Sequence, residues 1–300
     1  MKQIFVRGIS RSGGTLLATV LDAHPQVAMC YEIYQHLLAP QSDNKNQALE
    51  FLAELDGINK HRKFSLTRSA PTQIKDRNLR TFAARTIRSG LETDVLIEIL
   101  KNHIDAGNDF STFADRMRFI EQIALEKMQR EQKDHWGVKI TSVYTELSDL
   151  YPDSAYFLYM LRDGRDVAAS RKNVGNFNQQ ITSIAKNWFT QAQNFQQFSE
   201  GNNVRARFVH YERLTKSPET ELKELMDFLE LPWDDRLLSY HTQDLSIYRK
   251  ETGHLSASQV NQPINTQSVG RWQNDLSAAE IDEFETVAGS ALVDFGYKRS

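Results

Sequence analysis

Hydrophobic and polar positions alternate along the chain in blocks that indicate strands and helices from the first residues onward. Ile4-Phe5-Val6 is a short β-prone run that leads directly into a glycine-rich stretch at 8–15. Apolar residues at 16–21 predict a helix after that stretch, and Asp22-Ala23-His24-Pro25 predicts its end. Residues 27–31 predict a second strand. Strand, glycine-rich turn, helix and strand in this order indicate the start of a parallel α/β sheet.

Residues from about 41 to 135 have a different pattern, which is polar, largely helical and poor in strand signals. Residues 91–104 place their apolar side chains on one helical face, and residues 119–128 form a second candidate helix. We interpret this region as a helical insert between two strands of the sheet.

Strand signals return at residue 136 and alternate with helical patterns to near the end of the chain. Seven consecutive apolar or aromatic residues at 155–161 predict a strand that is buried on both faces. The pattern also predicts strands at 136–140 and 205–209, helices at 142–150, 166–171, 181–198, 220–229 and 276–293, and an irregular segment at 245–265. We therefore expect a single α/β domain over residues 1–300, with three α/β/α layers, a central parallel sheet and a helical insert or cap.

Composition agrees with a folded protein and excludes several classes. Hydrophobic residues make up 40% of the chain and charged residues 25%, as in ordinary globular proteins. Lys and Arg number 36 against 39 Asp and Glu, so we expect no nucleic-acid partner. The single cysteine, Cys30, excludes an intrachain disulfide framework and favours a reducing compartment. The longest apolar run is far below the roughly 20 residues of a membrane span, and we expect a cytoplasmic protein without one.

The glycine-rich stretch has the skeleton of a nucleotide-binding P-loop. In Gly8-x-x-x-x-Gly13-Gly14-Thr15, glycines let backbone N–H groups turn toward an anion at the start of the next helix. Gly14 occupies the position of the lysine that normally reaches the β- and γ-phosphates, which weighs against an ATPase or GTPase. Arg11 supplies a cation in the loop itself. The alternative is a glycine-rich turn that binds no ligand.

A second anion-binding signal follows the predicted buried strand. Arg162 comes at its carboxyl end, and Ser170 lies eight residues later in the next predicted helix. Because open α/β sheets bind ligands at the carboxyl ends of their strands, this arginine and hydroxyl predict a phosphate site. The alternative is that Asp166 caps the helix and the arginines are ordinary surface residues.

Both segments resemble the donor-binding segments of sulfotransferases that use 3′-phosphoadenosine 5′-phosphosulfate (PAPS). Arg11-Ser12-Gly13-Gly14-Thr15-Leu16-Leu17 resembles the 5′-phosphosulfate loop, most of all that of the tyrosylprotein sulfotransferases and their bacterial relatives. Residues 161–170 resemble the 3′-phosphate segment of the family, and 209–214 and 269–272 resemble its downstream landmarks. The resemblance covers residues 4–32 and 136–297 in order and leaves the insert uncovered.

The resemblance implies that the sulfuryl group of PAPS moves to an acceptor hydroxyl or amine, that adenosine 3′,5′-bisphosphate (PAP) is left, and that no metal takes part. The implied donor-binding residues are Arg11, Ser12, Gly13, Gly14, Thr15, Leu16, Arg162, Ser170, Tyr211, Ser256 and Arg271. The register near Ser256 is ambiguous by two residues, which makes Ser258 the alternative there.

The implied catalytic residues are Glu32, Lys139 and Arg11. Glu32 matches the position of the general base and is favoured over His24, while Lys139 resembles the lysine that stabilises the leaving phosphate oxygen. The sequence departs from the family pattern at Gly14, where threonine is common, and before Glu32, where Tyr31 replaces an acidic residue.

The acceptor is not specified by these motifs, and a peptide tyrosine, a glycan hydroxyl and a small natural product all remain open. Residues 60–88 contain nine lysines and arginines against one acidic residue, which would attract an acidic peptide or a charged glycan. A solvated helical face is the alternative. A nucleotide-dependent kinase and a non-catalytic binder of nucleotide or acidic polymer are the rival functions, and a homodimer is possible in each case.

Overall fold

The computed structural model describes residues 1–33, 44–60, 75, 77–108, 110–140, 144–173, 180–201, 204–247 and 260–300. The strands are β1 (Gln3–Arg7), β2 (Val27–Cys30), β3 (His135–Lys139), β4 (Ala155–Leu161) and β5 (Ala206–His210). The helices are α1 (Gly14–Asp22), α2 (Asn44–Lys60), α3 (Arg77–Arg88), α4 (Thr93–Asp105), α5 (Phe113–Arg130), α6 (Tyr144–Leu150), α7 (Gly164–Lys172), α8 (Ile181–Ser199), α9 (Tyr211–Lys216), α10 (Pro218–Leu229), α11 (Trp272–Asp275) and α12 (Ala278–Asp294).

The five strands form one sheet in the order β2-β3-β1-β4-β5, with parallel pairing in β2–β3, β3–β1 and β4–β5. The register pairs Phe5 with Val138 and Cys30 with Val138 on either side of β3. Parallel neighbours require crossover connections, and the longest of these, from β2 to β3, contains α2 to α5. The predicted α/β class with a central parallel sheet and a helical insert is therefore confirmed.

The chain divides into two compact units. The first comprises Met1–Val6, Thr15–Ala155 and Asp234–Pro263, and the second comprises Arg7–Gly14, Tyr156–Trp233 and Ile264–Ser300. In the first unit α5 packs on β2 and β3, and the rings of Phe5, Trp136 and Tyr151 lie within 6 Å of one another. The insert has an aromatic core of its own, in which the ring of Phe119 lies 5.2 Å from that of Phe110.

Every residue of β4, which belongs to the second unit from Tyr156 onward, is buried, as its unbroken apolar run predicts. Tyr159 of β4 and Phe195 of α8 pack with their ring centroids 5.0 Å apart, and Phe208 of β5 lies 4.8 Å from Phe195. Two turns earlier on the same face of α8, Trp188 contacts Phe284 of α12. This core holds the carboxyl end of β4 and the start of α7 in place, where the predicted phosphate-binding arginine lies.

Several predicted boundaries are wrong by a few residues, two of them because a side chain caps the helix before its apolar pattern begins. The predicted helix 119–128 begins at Phe113, because Thr112 and Asp115 form a capping box one turn before its apolar face. The predicted helix 166–171 begins at Gly164, with Asp163 capping it through the Arg165 N–H. The strand predicted at 27–31 ends at Cys30, the helix predicted at 91–104 starts at Thr93, and the strands predicted at 136–140 and 205–209 shift by one residue to His135–Lys139 and Ala206–His210. None of the described helices is both long and apolar enough to cross a membrane.

Candidate active site

The glycine-rich loop connects β1 to α1 and has an unusual backbone. Gly13 has φ +104°, a conformation that suits glycine, and Arg11 has φ +78° without being glycine. Within the described residues, four non-glycine residues have positive φ, and Arg11 and Glu32 are two of them. Such a conformation costs about 1–3 kcal/mol and is typical of functional sites. Two of these four residues, Arg11 and Glu32, are therefore positions to which the family resemblance also assigns catalytic roles.

The loop packs closely against the ring of Tyr211, which begins α9. A side chain at Gly13 would bring its Cβ to 2.6 Å from the Tyr211 ring, so the glycine is required by contact as well as by φ. Ser12 is fully buried, and its hydroxyl has no hydrogen-bond partner among the described residues. A buried hydroxyl without a protein partner in a loop of this kind indicates a place for a ligand oxygen.

The side chains of Arg11 and Ser170 meet in the second unit, since Nε of Arg11 donates to Oγ of Ser170 over 3.1 Å. Burial lowers the pKa of Arg11, and the nearby positive charges of Arg162 and Arg271 lower it further. The guanidinium groups of Arg162 and Arg271 therefore both lie close enough to repel that of Arg11. An anion placed among them would relieve that repulsion.

Arg162 is buried and held on several sides. One of its terminal nitrogens donates to the carbonyl oxygen of Arg11 over 3.0 Å, and the other bonds to the carbonyl oxygen of Ser268. Its guanidinium lies 4.6 Å from the centroid of the Tyr211 ring, while its Nε is buried without a partner among the described residues. The carbonyl oxygen of Arg162 accepts from the indole N–H of Trp188, which fixes the backbone as well.

The carboxylates near this cluster serve mainly to hold its loops. Asp166 accepts from the N–H groups of Gly270 and Trp272 at 2.9 and 3.0 Å and lies 3.6 Å from Arg162. Burial raises the pKa of Asp166, and Arg162 opposes that rise. Arg271 pairs with Asp275 at 2.7 Å. The residues fit a donor with two anionic groups, because unpartnered Ser12 and Arg162 atoms and clustered guanidinium groups are what phosphate and sulfate oxygens require.

Glu32 and Lys139, both in the first unit, form an ion pair at the ends of adjacent strands. Lys139 is the last residue of β3, and Glu32 follows β2 with φ +39°. Lys139 bonds to one carboxylate oxygen of Glu32, and Arg85 of α3 bonds to the other. The side chains of all three are between 12% and 16% exposed, so water screens the charges only partly.

Arg85 is the residue at this site that sequence reasoning missed. It appeared only as one of the basic residues of 60–88, and its partner Glu32 is 53 residues away in the chain. Tyr31 lies between the cations, with Arg85 at 4.5 Å and Lys139 at 5.6 Å from its ring centroid. Burial raises the pKa of Tyr31, with Arg85 and Arg88 acting in the opposite direction. Tyr31 therefore occupies the position before Glu32 as a neutral ring that packs on cations.

The remaining predicted residues are placed as follows. Gly14, Thr15 and Leu16 open α1, and Ser256 and its alternative Ser258 lie outside the described residues. His24 is fully buried and accepts from the Gln26 N–H in the turn after α1. Cys30 is fully buried, and burial raises its pKa to about 12. Among the described residues, no cluster of His, Cys, Asp or Glu is placed to hold a metal ion.

Residues 3–235 match the model of the sulfotransferase family. The chain belongs to the sulfotransferase family. The resemblance drawn from the two donor-binding motifs is thereby confirmed.

Relatives include protein-tyrosine sulfotransferase A of Caenorhabditis elegans, which is 26% identical over 95% of this chain and 64% of its own length. Protein-tyrosine sulfotransferase 2 of Gallus gallus is 25% identical over 99% of this chain and 70% of its own length. This family member therefore spans about two thirds of the length of those relatives.

A solved structure shares the fold of this sulfotransferase-family chain. It is the sulfotransferase domain of the olefin synthase of Synechococcus PCC 7002, which superposes with a TM-score of 0.57 at 19% identity. The match covers 95% of this chain and 94% of that domain. The P-loop-like α/β architecture predicted from the sequence is thus the architecture of a known sulfotransferase domain.

Proposed function

We propose that this protein transfers the sulfuryl group of PAPS to an acceptor hydroxyl and leaves PAP. The observation that carries the proposal is the cluster of Arg11, Ser170, Arg162 and Arg271 around a phosphate-binding loop whose Ser12 hydroxyl is buried without a partner. PAPS carries two separate anionic groups, a 5′-phosphosulfate and a 3′-phosphate, and the cluster offers cations and hydroxyls for both.

The donor-binding roles follow the contacts of each residue. The backbone of 12–15, the Ser12 and Thr15 hydroxyls and Arg11 would bind the 5′-phosphosulfate at the start of α1, where the helix dipole adds positive potential. Arg162 and Ser170 would bind the 3′-phosphate, with Tyr211 and Arg271 completing the donor site. A hydrogen bond to a charged group contributes about 1.5–3 kcal/mol, so a few such bonds account for specific donor binding.

The chemistry assigned to Glu32, Lys139 and Arg85, the residues of the two ion pairs, is proton removal and charge stabilisation. The acceptor oxygen attacks sulfur in line with the bridging oxygen, the bond from sulfur to that oxygen breaks, and the electron pair stays on the 5′-phosphate. Glu32 takes the acceptor proton, since each carboxylate oxygen keeps a lone pair beyond the one that its cation engages. Lys139 supplies positive charge for the leaving oxygen, and Arg85 holds Glu32 in one orientation.

The acceptor that we propose is a tyrosine hydroxyl in a polypeptide. Relatives that align over nearly the whole chain are named protein-tyrosine sulfotransferases. The first unit presents Arg85, Arg88 and Lys139 around Tyr31, and this positive charge favours an acceptor with acidic neighbours. A cytoplasmic location stays a prediction from composition.

Calorimetry on the purified protein is expected to show PAP binding without added metal, with a Kd on the order of 1 μM. ADP and ATP should bind at least about ten-fold more weakly, because neither carries a 3′-phosphate for Arg162 and Ser170. Added Mg²⁺ should leave PAP affinity unchanged.

The same titrations separate this proposal from a kinase. A preference for ATP with Mg²⁺ over PAP would contradict PAPS as donor and favour phosphoryl transfer. Failure of all three nucleotides to bind would make the loop a structural turn. For an Arg162→Ala variant in these titrations, Arg213→Ala is the matched control for charge, because Arg213 is 57% exposed and pairs with Glu221 and Glu224 in the second unit.

A further inference from the structure

Ser89 is the residue directly after α3, the helix that carries Arg85, and the backbone there has a defined helix-ending conformation. Gly90, with φ +93°, donates from its N–H to the carbonyl of Ile87, and Leu91 donates to the carbonyl of Thr86. This pair of bonds is the Schellman arrangement that ends many helices. Ser89 itself is fully buried.

The hydroxyl of Ser89 joins two backbone segments that carry the ion pair. It accepts from the Tyr31 N–H over 2.8 Å and donates to the Arg85 carbonyl over 3.0 Å. Tyr31 is directly before Glu32, and Arg85 is its cationic partner. One side chain thus ties the end of β2, with the carboxylate, to the last turn of α3, with the guanidinium.

A hydrogen-bonded group of polar side chains, formed by Ser246, Lys127 and Glu131, lies next to Ser89. Gly90 lies so close to Ser246 that any side chain at 90 would collide with it, and the Ser246 hydroxyl lies 3.3 Å from the Ser89 carbonyl oxygen. Lys127, whose side chain is only 1% exposed, bonds to Ser246 and to Glu131.

The same lysine also reaches β2, near the end of the strand, through Asp22. Lys127 lies 3.4 Å from Asp22, and Asp22 accepts from the Met29 N–H over 2.7 Å. Buried charges that are paired and hydrogen-bonded on several sides allow little movement, because any displacement leaves a charge unpaired. The strand end and the helix end are therefore held against one rigid group.

We propose that Ser89 is a positioning residue that sets the geometry of the Glu32–Arg85 pair for proton removal from the acceptor. The inference rests on the proposed function, since it gives Glu32 a catalytic part, and adds a residue that the sequence motifs do not contain. Ser89 acts through the backbone of Tyr31 and Arg85 and touches no reactant. Its loss would let the carboxylate shift by a fraction of an ångström, and such shifts reduce turnover strongly.

The test compares Ser89→Ala with wild type, using PAPS and a synthetic peptide with one tyrosine flanked by aspartate and glutamate. We expect kcat to fall by about 10–100-fold, with the KM for peptide and the Kd for PAP within about two-fold of wild type. Amide exchange at Tyr31, followed by NMR, should be at least about ten-fold faster, because its N–H loses the Ser89 acceptor.

Thr86→Val is the matched control, because Thr86 is also fully buried on α3 and its hydroxyl donates to the Phe82 carbonyl over 3.1 Å. It removes a buried hydroxyl from the same helix without touching β2, so kcat and Tyr31 exchange should stay near wild type. Ser89→Cys replaces the hydroxyl by a slightly larger and more weakly hydrogen-bonding thiol, and serves if the alanine variant does not fold. The kcat and the Tyr31 exchange rate of Ser89→Cys should lie between those of wild type and those of Ser89→Ala.

A double-mutant cycle with Arg85→Ala separates positioning from general destabilisation. If Ser89 acts through Arg85 and Glu32, Ser89→Ala should change kcat much less in the Arg85→Ala background than in wild type. Equal losses of kcat in Ser89→Ala and Thr86→Val, or unchanged Tyr31 exchange in Ser89→Ala, would overturn the proposal. A wild-type protein that binds PAP but sulfates nothing would count against the proposed function and the catalytic part of this inference, while Tyr31 exchange would still report whether Ser89 holds the strand end.

Discussion

Replacement of Glu32 by glutamine is expected to lower kcat for sulfuryl transfer by about 10²–10⁴-fold, the usual contribution of a general base. The amide cannot take the acceptor proton, and it can no longer form ion pairs with both Arg85 and Lys139. PAP affinity should stay within about two-fold of wild type, since the proposed donor-binding side chains are those of the Arg11, Ser170 and Arg162 cluster. Steady-state kinetics and calorimetry on the same preparation measure both quantities.

Glu126→Gln provides the control for this experiment. Glu126 pairs with Arg130 on the exposed side of α5, so its replacement changes the net charge equally and should leave kcat at the wild-type level. Turnover of Glu32→Gln within two-fold of wild type would remove Glu32 from the role of base.

Replacement of Arg162 by alanine is expected to weaken PAP binding by about 10–150-fold, which corresponds to the loss of one charge-assisted hydrogen bond. The effect should be specific for the 3′-phosphate. Adenosine 5′-phosphate, which lacks that group, should bind the variant and the wild type with similar affinity. The quantity to measure is therefore the factor by which Arg162→Ala raises the Kd for PAP, divided by the factor by which it raises the Kd for adenosine 5′-phosphate.

Arg162 also supports the loop, because it bonds to the Arg11 and Ser268 carbonyl oxygens and packs on Tyr211. Arg162→Lys keeps the charge but cannot make those bonds together, and it should recover only part of the PAP affinity. Equal weakening of PAP and adenosine 5′-phosphate in Arg162→Ala would assign Arg162 a structural role and no 3′-phosphate contact.

Much of the fold can be predicted from the sequence because its strongest signals are local. The strand Ala155–Leu161 was predicted to the residue, since burial on both faces leaves an unbroken apolar run. The glycine-rich loop was predictable because Gly13 needs a backbone conformation that few residues adopt. The start of α5 was missed, since a capping box extends the helix beyond its apolar face.

The candidate site likewise contains residues that the sequence could predict and residues that it could not. Arg11, Arg162 and Glu32 come directly after or between recognisable elements, and the family resemblance assigns roles to them. Arg85 and Ser89 belong to an insert outside that resemblance, and they meet the end of β2 only through tertiary contacts across more than 50 residues of chain. Neither hydrophobic periodicity nor the spacing of motifs predicts a contact of this kind, so it can be found only in the folded structure.

The proposed transfer from PAPS to a tyrosine hydroxyl can be followed with ³⁵S-labelled PAPS in the presence of the acidic tyrosine peptide, a sulfatable glycan and a phenol. We expect label in the tyrosine peptide, release of PAP in equal amount without added metal, and loss of both in Glu32→Gln. PAP binding with no transfer of label to any of these acceptors would contradict the proposed transfer and indicate a protein that binds the nucleotide without using it.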